Sequence, residues 1–408
     1  MNSDAEKIVR HVISAVNPSD EVVRVLGTLD IPEREIILIA AGKAAWDMAE
    51  AAYRLYGDRI PRGLVITKYG HSRGPIGGLK MIEAAHPVPD GNSFKAAAAA
   101  LDAVKELSKE TAVLFLLSGG AGALFESPLI SGAEMADIGG RLLKSGASIN
   151  EINCVRKRLS GVKGGRFASA CAPARVCSII LSDVLGDKPD VIGGGPTCPD
   201  TSTCKEALDI VSRYGIPLSE AARKCLETET VKTLDNADIH IIGGVKQLCR
   251  SGEEICRRLG YEPVVLTSTL NCEAREAGAF LSAIAREHQG SGRSLAFLAG
   301  GETVVHVRGS GLGGRNQELA LSAALGIADC TNTCVFSFGS DGTDGPTDAA
   351  GGCVDEMTLS SLAAHGVNAL EYLNNNDSYH ALGTCGGLIV TGPTGTNIND
   401  LSAVLIKR

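Results

Sequence analysis

At 408 residues the chain exceeds one ordinary hydrophobic core, which predicts two domains. A formal net charge of −8 with no basic run excludes nucleic acid and anionic membranes as expected partners and leaves small anionic ligands open. The N-terminal stretch MNSDAEKIVRHVISAV scatters charge through its apolar residues, and nowhere is there a run of ~18 uncharged apolar residues, so neither a signal peptide nor a membrane span is expected. Thirteen cysteines without a C-x-x-C pair, several in apolar runs (Cys154, Cys177, Cys249, Cys334), predict reduced, buried thiols and a cytoplasmic protein.

In chain order, IILIAA (36–41), GLVITK (63–68), VLFLLS (113–118) and VCSIILS (176–182) read as buried strands. Helical patterns at 44–56, 93–109 and 133–146 alternate with them. Strands that are apolar throughout, alternating with helices, predict a mostly parallel sheet covered on both faces. The polar segment 226–237 is the candidate boundary, giving domains over 1–236 and 237–408. A second alternation follows: DIHIIGG, EPVVLTS, SLAFLAGG, ETVVHVR and CVFSFGS as strands, with RNQELALSAALGIA among the helices, then GLIVTG and a polar tail. Both domains are thus expected to be α/β/α with mostly parallel, Rossmann-like sheets. Glycine-rich turns at strand ends would gather ligands in a cleft between them.

Six segments carry candidate chemistry, one of them the Gly-, Thr- and Asn-rich loop after LIVTG within 377–400, suited to phosphate or nucleotide contacts or else a sheet edge with a tail. Lys43 ends the strand IILIAA and opens a helix, where backbone N–H groups and a cation can hold phosphate or carboxylate. Ser118, Gly119 and Gly120 end the strand VLFLLS in a turn able to cradle an anion, or simply in a tight turn that needs glycine. Arg156, Lys157, Arg158, Lys163 and Arg166 crowd NCVRKRLSGVKGGRFA; such a run is usually a solvated face, with Arg156 the candidate substrate clamp. Asp183 closes VCSIILS beside a glycine-rich loop, a place for a general base or a Mg²⁺ ligand, while Asp187, Asp190 and Asp200 fit turn and helix caps. Lastly, GSGLGGRNQEL (309–319) fits G-x-G-x-x-G, and Asp341, Asp344 and Asp348 crowd one later loop. The glycines alone leave a dinucleotide site open, with the acidic loop pointing rather to Mg²⁺.

Taken together, GKAAWDMA, TKYGH, EAAHPVPDGNS, SGGAGAL, VRKRLSGVKGGR, LSDVLGD, GGET, GLGGRNQEL, SDGTDGPTDAAG and TGPTGTNINDL resemble the glycerate 2-kinase family, whose C-terminal part is the MOFRL domain. The resemblance spans nearly the whole chain. It implies transfer of the ATP γ-phosphoryl to D-glycerate with Mg²⁺, giving 2-phosphoglycerate, by a monomer or homodimer. By motif matching it places Lys43, Asp183, Glu302, Arg315, Asp341 and Asn397 around the cleft. Asn316, next to Arg315, joins the substrate- and phosphate-binding group. Lys43 and Arg315 are expected to flank the transferred group, with Asp341 or Asp183 on the metal and the other carboxylate accepting the hydroxyl proton. Two positions depart from the family pattern: Gly122 stands where a serine is usual, and Leu312 where a basic residue is frequent. The alternative reading is an NAD(P)H-dependent hydroxypyruvate reductase, with His306 or His380 as proton donor.

Overall fold

The computed structural model describes every residue except Met1, Asp183, Leu185, Asp187 and Asn397. Its first sheet has six strands in the order β3-β2-β1-β4-β5-β6. They are β1 (Glu35–Ala41), β2 (Arg62–Lys68), β3 (Lys80–Ala84), β4 (Thr111–Leu117), β5 (Arg175–Ser182) and β6 (Ala237–Gly243). Every pairing from β3 to β5 is parallel. This is the doubly wound order, in which the chain reverses its direction of travel across the sheet between β1 and β4. Strands β1, β4 and β5 are buried along almost their whole length, as expected when helices cover both faces. One face packs Ile37, Ile39, Val113, Phe115 and Val176 against the alanine-rich helix Gly91–Ala103. Three phenylalanines, Phe115, Phe125 and Phe167, close that core with ring centroids 5.0–5.7 Å apart. A separate helical cluster around Met135, Leu142, Val155, Leu159 and Ile210 fills the excursions either side of β5.

The second sheet runs β11-β10-β9-β12-β8-β7, from β7 (Glu262–Leu270), β8 (Leu295–Gly301), β9 (Thr333–Gly339), β10 (Gly351–Asp355), β11 (Leu388–Ile389) and β12 (Asp400–Ile406). Only β7–β8 is a parallel pair; β8–β12, β12–β9, β9–β10 and β10–β11 are antiparallel. The expectation of two mostly parallel sheets therefore fails for this one. The cause is the C-terminal run DLSAVLI, expected to be a polar tail. It enters between β8 and β9 against both, and all seven of its residues are buried. ETVVHVR also differs: it makes a single bridge, Val304 to Glu273, with Val304 and Val307 exposed.

Chain packing divides the molecule into two units, one comprising residues 18–242 and the other residues 1–17 with 243–408. Both ends of the sequence boundary at 236–237 are displaced. Strand β6 completes the first sheet, and the helix Ser3–Ala15 packs with the later unit through Ala5, Ile8, Val9 and Val12, one stripe at helical spacing. Tyr261 donates to Asp4 at 3.0 Å and Lys407 lies 3.5 Å from the same carboxylate, tying that helix down. Among the described residues no helix is long and apolar enough to cross a membrane, and all thirteen cysteines are free thiols.

Because β12 fills the middle of its sheet, Leu401→Ala, at a fully buried position, is expected to cost ~2–5 kcal/mol. A urea unfolding curve with an unchanged midpoint would contradict the central role of this strand.

Candidate active site

In doubly wound sheets, ligands bind beyond the carboxyl ends of the strands where the order reverses. Here those ends belong to β1 and β4, and they are joined. Ser118 N–H donates to the Ala41 carbonyl at 3.0 Å, Lys43 N–H to the Gly119 carbonyl at 2.9 Å, and Ala44 N–H to Ser118 Oγ at 3.1 Å. Gly42 sits at the crossing with φ +132°, and a Cβ there would collide with the Ser118 side chain and carbonyl. Ser118 and Gly119 are buried, so Gly120 is the part of the turn that reaches the surface. Lys43 is partly exposed, and among the described residues its ammonium has neither a hydrogen bond nor an ion pair. An unpaired cation at the switch point is available for an anion.

The neighbouring basic run is not a solvated face. Lys157, Arg158 and Lys163 are 3%, 0% and 1% exposed. Lys163 pairs with the fully buried Glu126 at 2.8 Å and donates to the carbonyls of Gly122 and Phe125 at 3.0 and 3.1 Å. Burial lowers its pKa, with Glu126 opposing the shift. Lys157 lies 3.1 Å from both Asp190 and Asp200, and Arg158 reaches Asp200, Ser202 and Glu229. These cations are consumed in holding the 190–204 segment to the helix Ile149–Arg158. Asp200 is thus a buried ion-pair partner rather than only a turn cap. Arg156 remains partly exposed; it donates to the Gly122 carbonyl at 2.8 Å and lies 3.5 Å from Glu126.

In the second unit the reversed strand β12 brings Asp400 level with Gly301 at the end of β8 and Gly339 at the end of β9. Glu302 follows the first of those ends directly, and Asp341 lies two residues beyond the second. Arg315, at the start of the helix Arg315–Ile327, spans them. Its Nε and Nη2 bind Asp400 at 2.6 and 2.9 Å, a fork-to-fork pair, and Nη1 meets Glu302 at 3.1 Å. Burial alone would lower the guanidinium pKa; the Asp400 bonds outweigh it and keep Arg315 charged. Two of its five N–H groups are hydrogen-bonded, both to Asp400, and the Glu302 contact is an ion pair. Asp341 accepts from Thr343 N–H at 2.9 Å through Oδ1. Nearby, Thr396 Oγ1 and Asn399 Nδ2 are buried without a hydrogen-bond partner among the described residues.

The start of the helix Arg315–Ile327 is already occupied. Asp344, 3% exposed, accepts from Asn316 N–H at 3.1 Å and Gln317 N–H at 2.9 Å, where a bound pyrophosphate would need those donors. Asn316 is equally committed: its amide donates to Asp344 at 3.3 Å and accepts from Ser337 at 2.5 Å, so it supports the helix start. The glycines before it serve close packing. Side chains at 309, 311 or 314 would strike Asn375, Asp377 and Asp344 respectively, so the run lies against its own protein. Asp348 is held by Tyr379, His306 by Glu273 and His380 by Asp377.

Of the sequence candidates, Lys43, Ser118, Gly119, Gly120 and Arg156 assemble at one sheet end, and Glu302, Arg315, Asn316 and Asp341 at another. Asp183 and Asn397 lie outside the described residues. Sequence reading missed Asp400 as the partner of Arg315 and missed His86, whose ring lies against Gly120. The motif EAAHPVPD carried the histidine, but no local pattern ties it to the turn after β4.

A family model described as a domain of unknown function (DUF4147) matches residues 4–227, and the MOFRL family model matches residues 295–400. A D-glycerate 2-kinase of Thermotoga maritima is 50% identical over 98% of this chain and 97% of its own length. A glycerate 2-kinase of Pyrococcus horikoshii is 38% identical over 97% and 93%. The crystal structure of a glycerate kinase from Thermotoga maritima, 50% identical, matches with a TM-score of 0.96 over 99% of both chains.

Gly42→Ala is expected to destabilise by ~1–3 kcal/mol, because φ +132° and the Ser118 contact both oppose a side chain; thermal unfolding reads this directly. Burial first, opposed by its two N–H bonds, pushes the Asp344 pKa up from 3.8 to about 6. The folded state then holds this proton more tightly than the unfolded chain, so the contribution is full below the unfolded value and lost as pH rises through the folded one. The stability of wild type relative to Asp344→Asn should therefore fall between pH 4 and 7 by on the order of 3 kcal/mol. A pH-independent difference in urea titrations would refute it.

Proposed function

Because the chain belongs to the glycerate 2-kinase family, we propose that it transfers the γ-phosphoryl group of ATP to the 2-hydroxyl of D-glycerate. The observation that carries this reading is Lys43, an unpaired cation beside the Ser118–Gly120 turn at the switch point of a doubly wound sheet. Phosphoryl transfer asks an enzyme mainly to position reactants and offset charge on the equatorial oxygens. Lys43 donates to an anionic group of the reactants, and Ser118 fixes the backbone from which it projects. Arg315 supplies the second cation. Asp400 orients it from a buried site, while Glu302, 45% exposed, is the partner an incoming phosphate displaces. Arg156 holds the Gly122 carbonyl just after the glycine turn.

Mg²⁺ that arrives with a nucleotide keeps water and phosphate oxygens as most of its ligands and needs one or two carboxylates. Among the described residues no three His, Cys, Asp or Glu side chains converge on one point. Asp341 fits the lighter requirement, since only its Oδ1 is engaged, by one N–H. Asp183 is the other proposed ligand, and Asn397 a proposed phosphate contact. Bound there, Mg²⁺ would neutralise charge on the ATP phosphates. A cytoplasmic location accords with the free thiols.

The dinucleotide alternative is disfavoured by Asp344. A carboxylate already accepts the N–H groups at the helix start, and a pyrophosphate there would meet like charge.

Phosphorus NMR of protein with ATP, Mg²⁺ and D-glycerate is expected to show 2-phosphoglycerate, with no NADH consumed when hydroxypyruvate is offered. Lys43→Ala should lower kcat/KM by ~10²–10³-fold and leave the unfolding midpoint unchanged, because its ammonium holds nothing in the fold. Arg315→Ala should lower the rate by up to about 10³-fold and also destabilise, since it strands the buried Asp400. Full activity in Lys43→Ala would remove that residue from the site.

A further inference from the structure

Strand β3 ends at Ala84, and His86 lies over the glycine turn that follows β4. A Cβ built on Gly120 would stand 3.0 Å from His86 Cδ2, 3.3 Å from His86 Nε2 and 3.3 Å from Lys43 Cγ. Ring, turn and lysine stem thus form one contact at the carboxyl end of the first sheet. The ring is partly exposed. Three of the other histidines are committed to a partner: His365 to the Ser361 carbonyl at 2.8 Å, His380 to Asp377 at 2.6 Å, His306 to Glu273 at 3.2 Å. His86 has no hydrogen bond or ion pair among the described residues. Its surroundings are cationic: Lys43 after β1, Lys68 at the end of β2 and His71 in the turn beyond it. Burial first, and then these charges, lower its pKa below 6.5. The imidazole is therefore neutral at neutral pH, with one nitrogen able to accept a proton.

We propose that His86 accepts the proton of the substrate hydroxyl that attacks phosphorus, the role that sequence reading gave to a carboxylate. The hydroxyl oxygen forms a bond to the γ-phosphorus as the bond from that phosphorus to the bridging oxygen breaks, and ADP leaves with those electrons. The hydroxyl proton passes to an imidazole nitrogen, and the imidazolium returns it to solvent after product departs. Phosphates arriving beside the ring add negative charge, which strengthens its hold on the proton at the moment of transfer. The assignment rests on the phosphoryl-transfer reading above.

The test is the pH profile of kcat and kcat/KM for D-glycerate at saturating ATP and Mg²⁺, for wild type, His86→Gln and Lys68→Gln. Wild type is expected to lose activity on the acid side as the imidazole takes up its proton. His86→Gln should lose ~10²–10³-fold in kcat and the acid limb with it, while KM for ATP stays within about twofold. Lys68→Gln, which removes a cation and leaves the ring, should move the acid limb to higher pH; a purely structural histidine would not transmit that shift. Retention of kcat within about threefold in His86→Gln, or an acid limb that persists there, overturns the inference. Should His86→Gln fail to fold, an unmoved limb in Lys68→Gln overturns it equally. Phosphorus NMR on wild type separates the two levels. With 2-phosphoglycerate formed and His86→Gln unimpaired, only the role of His86 falls; with no phosphorylated product from wild type, the functional reading falls and takes the inference with it.

Discussion

The ends of β1 and β4 approach so closely that no side chain fits at Gly42, and the arrangement of the first unit's site depends on that contact. With the backbone of Gly42 against Ser118, three hydrogen bonds tie the two strand ends together. Lys43 then has no freedom in its backbone, only in its side chain. Just after the turn through Gly119 and Gly120, Arg156 and Lys163 both donate to the Gly122 carbonyl. A flexible ammonium on a rigid base suits recognition of an anion whose position changes little, because most of the ordering entropy is spent in folding.

The second unit reaches a comparable result by different means. Its sheet is mixed, and the antiparallel insertion of β12 puts Asp400 at the same edge as the ends of β8 and β9. Arg315 is thereby clamped by a buried carboxylate on one side and an exposed one on the other. The asymmetry matters: a buried ion pair fixes geometry and is costly to break, whereas a solvent-exposed one yields at little cost. Asp344 does for the helix backbone what Asp400 does for the side chain, and the glycine run exists so that this helix start can lie flush against residues 375–378 and 344. A pattern that reads as a dinucleotide fingerprint is here a packing device.

The charge economy of the chain follows the same division. The acidic body carries a net −8, yet the strongest local concentration of cations is buried and neutralised by Glu126, Asp190, Asp200 and Glu229. Among the described residues Lys43 and His86 have no hydrogen-bond or ion-pair partner, and they share one contact. A neutral imidazole among cations suits proton acceptance when phosphates arrive, since the same electrostatics that empties it in the free protein is reversed by the ligand's charge.

Much of this was legible in the sequence. Apolar runs alternating with helices gave the first sheet, because a strand buried on both faces must be apolar throughout. A lysine directly after such a run had to lie at a strand end, so Lys43 was placed without coordinates. The motifs across the chain were enough to indicate the family. What only the tertiary structure decided is pairing at long range. Arg315 and Asp400 are 85 residues apart, and nothing local in NINDLSAVLIKR marks a central strand or the carboxylate at its head. The charges at 157, 158 and 163 read as surface because burial depends on partners supplied by other segments. His86 joins Gly120 only through the lateral order of β3, β2, β1 and β4. Periodicity encodes which face of an element is buried, but the neighbour across that face is chosen by the whole sheet, and the chemistry of this site is set by such neighbours.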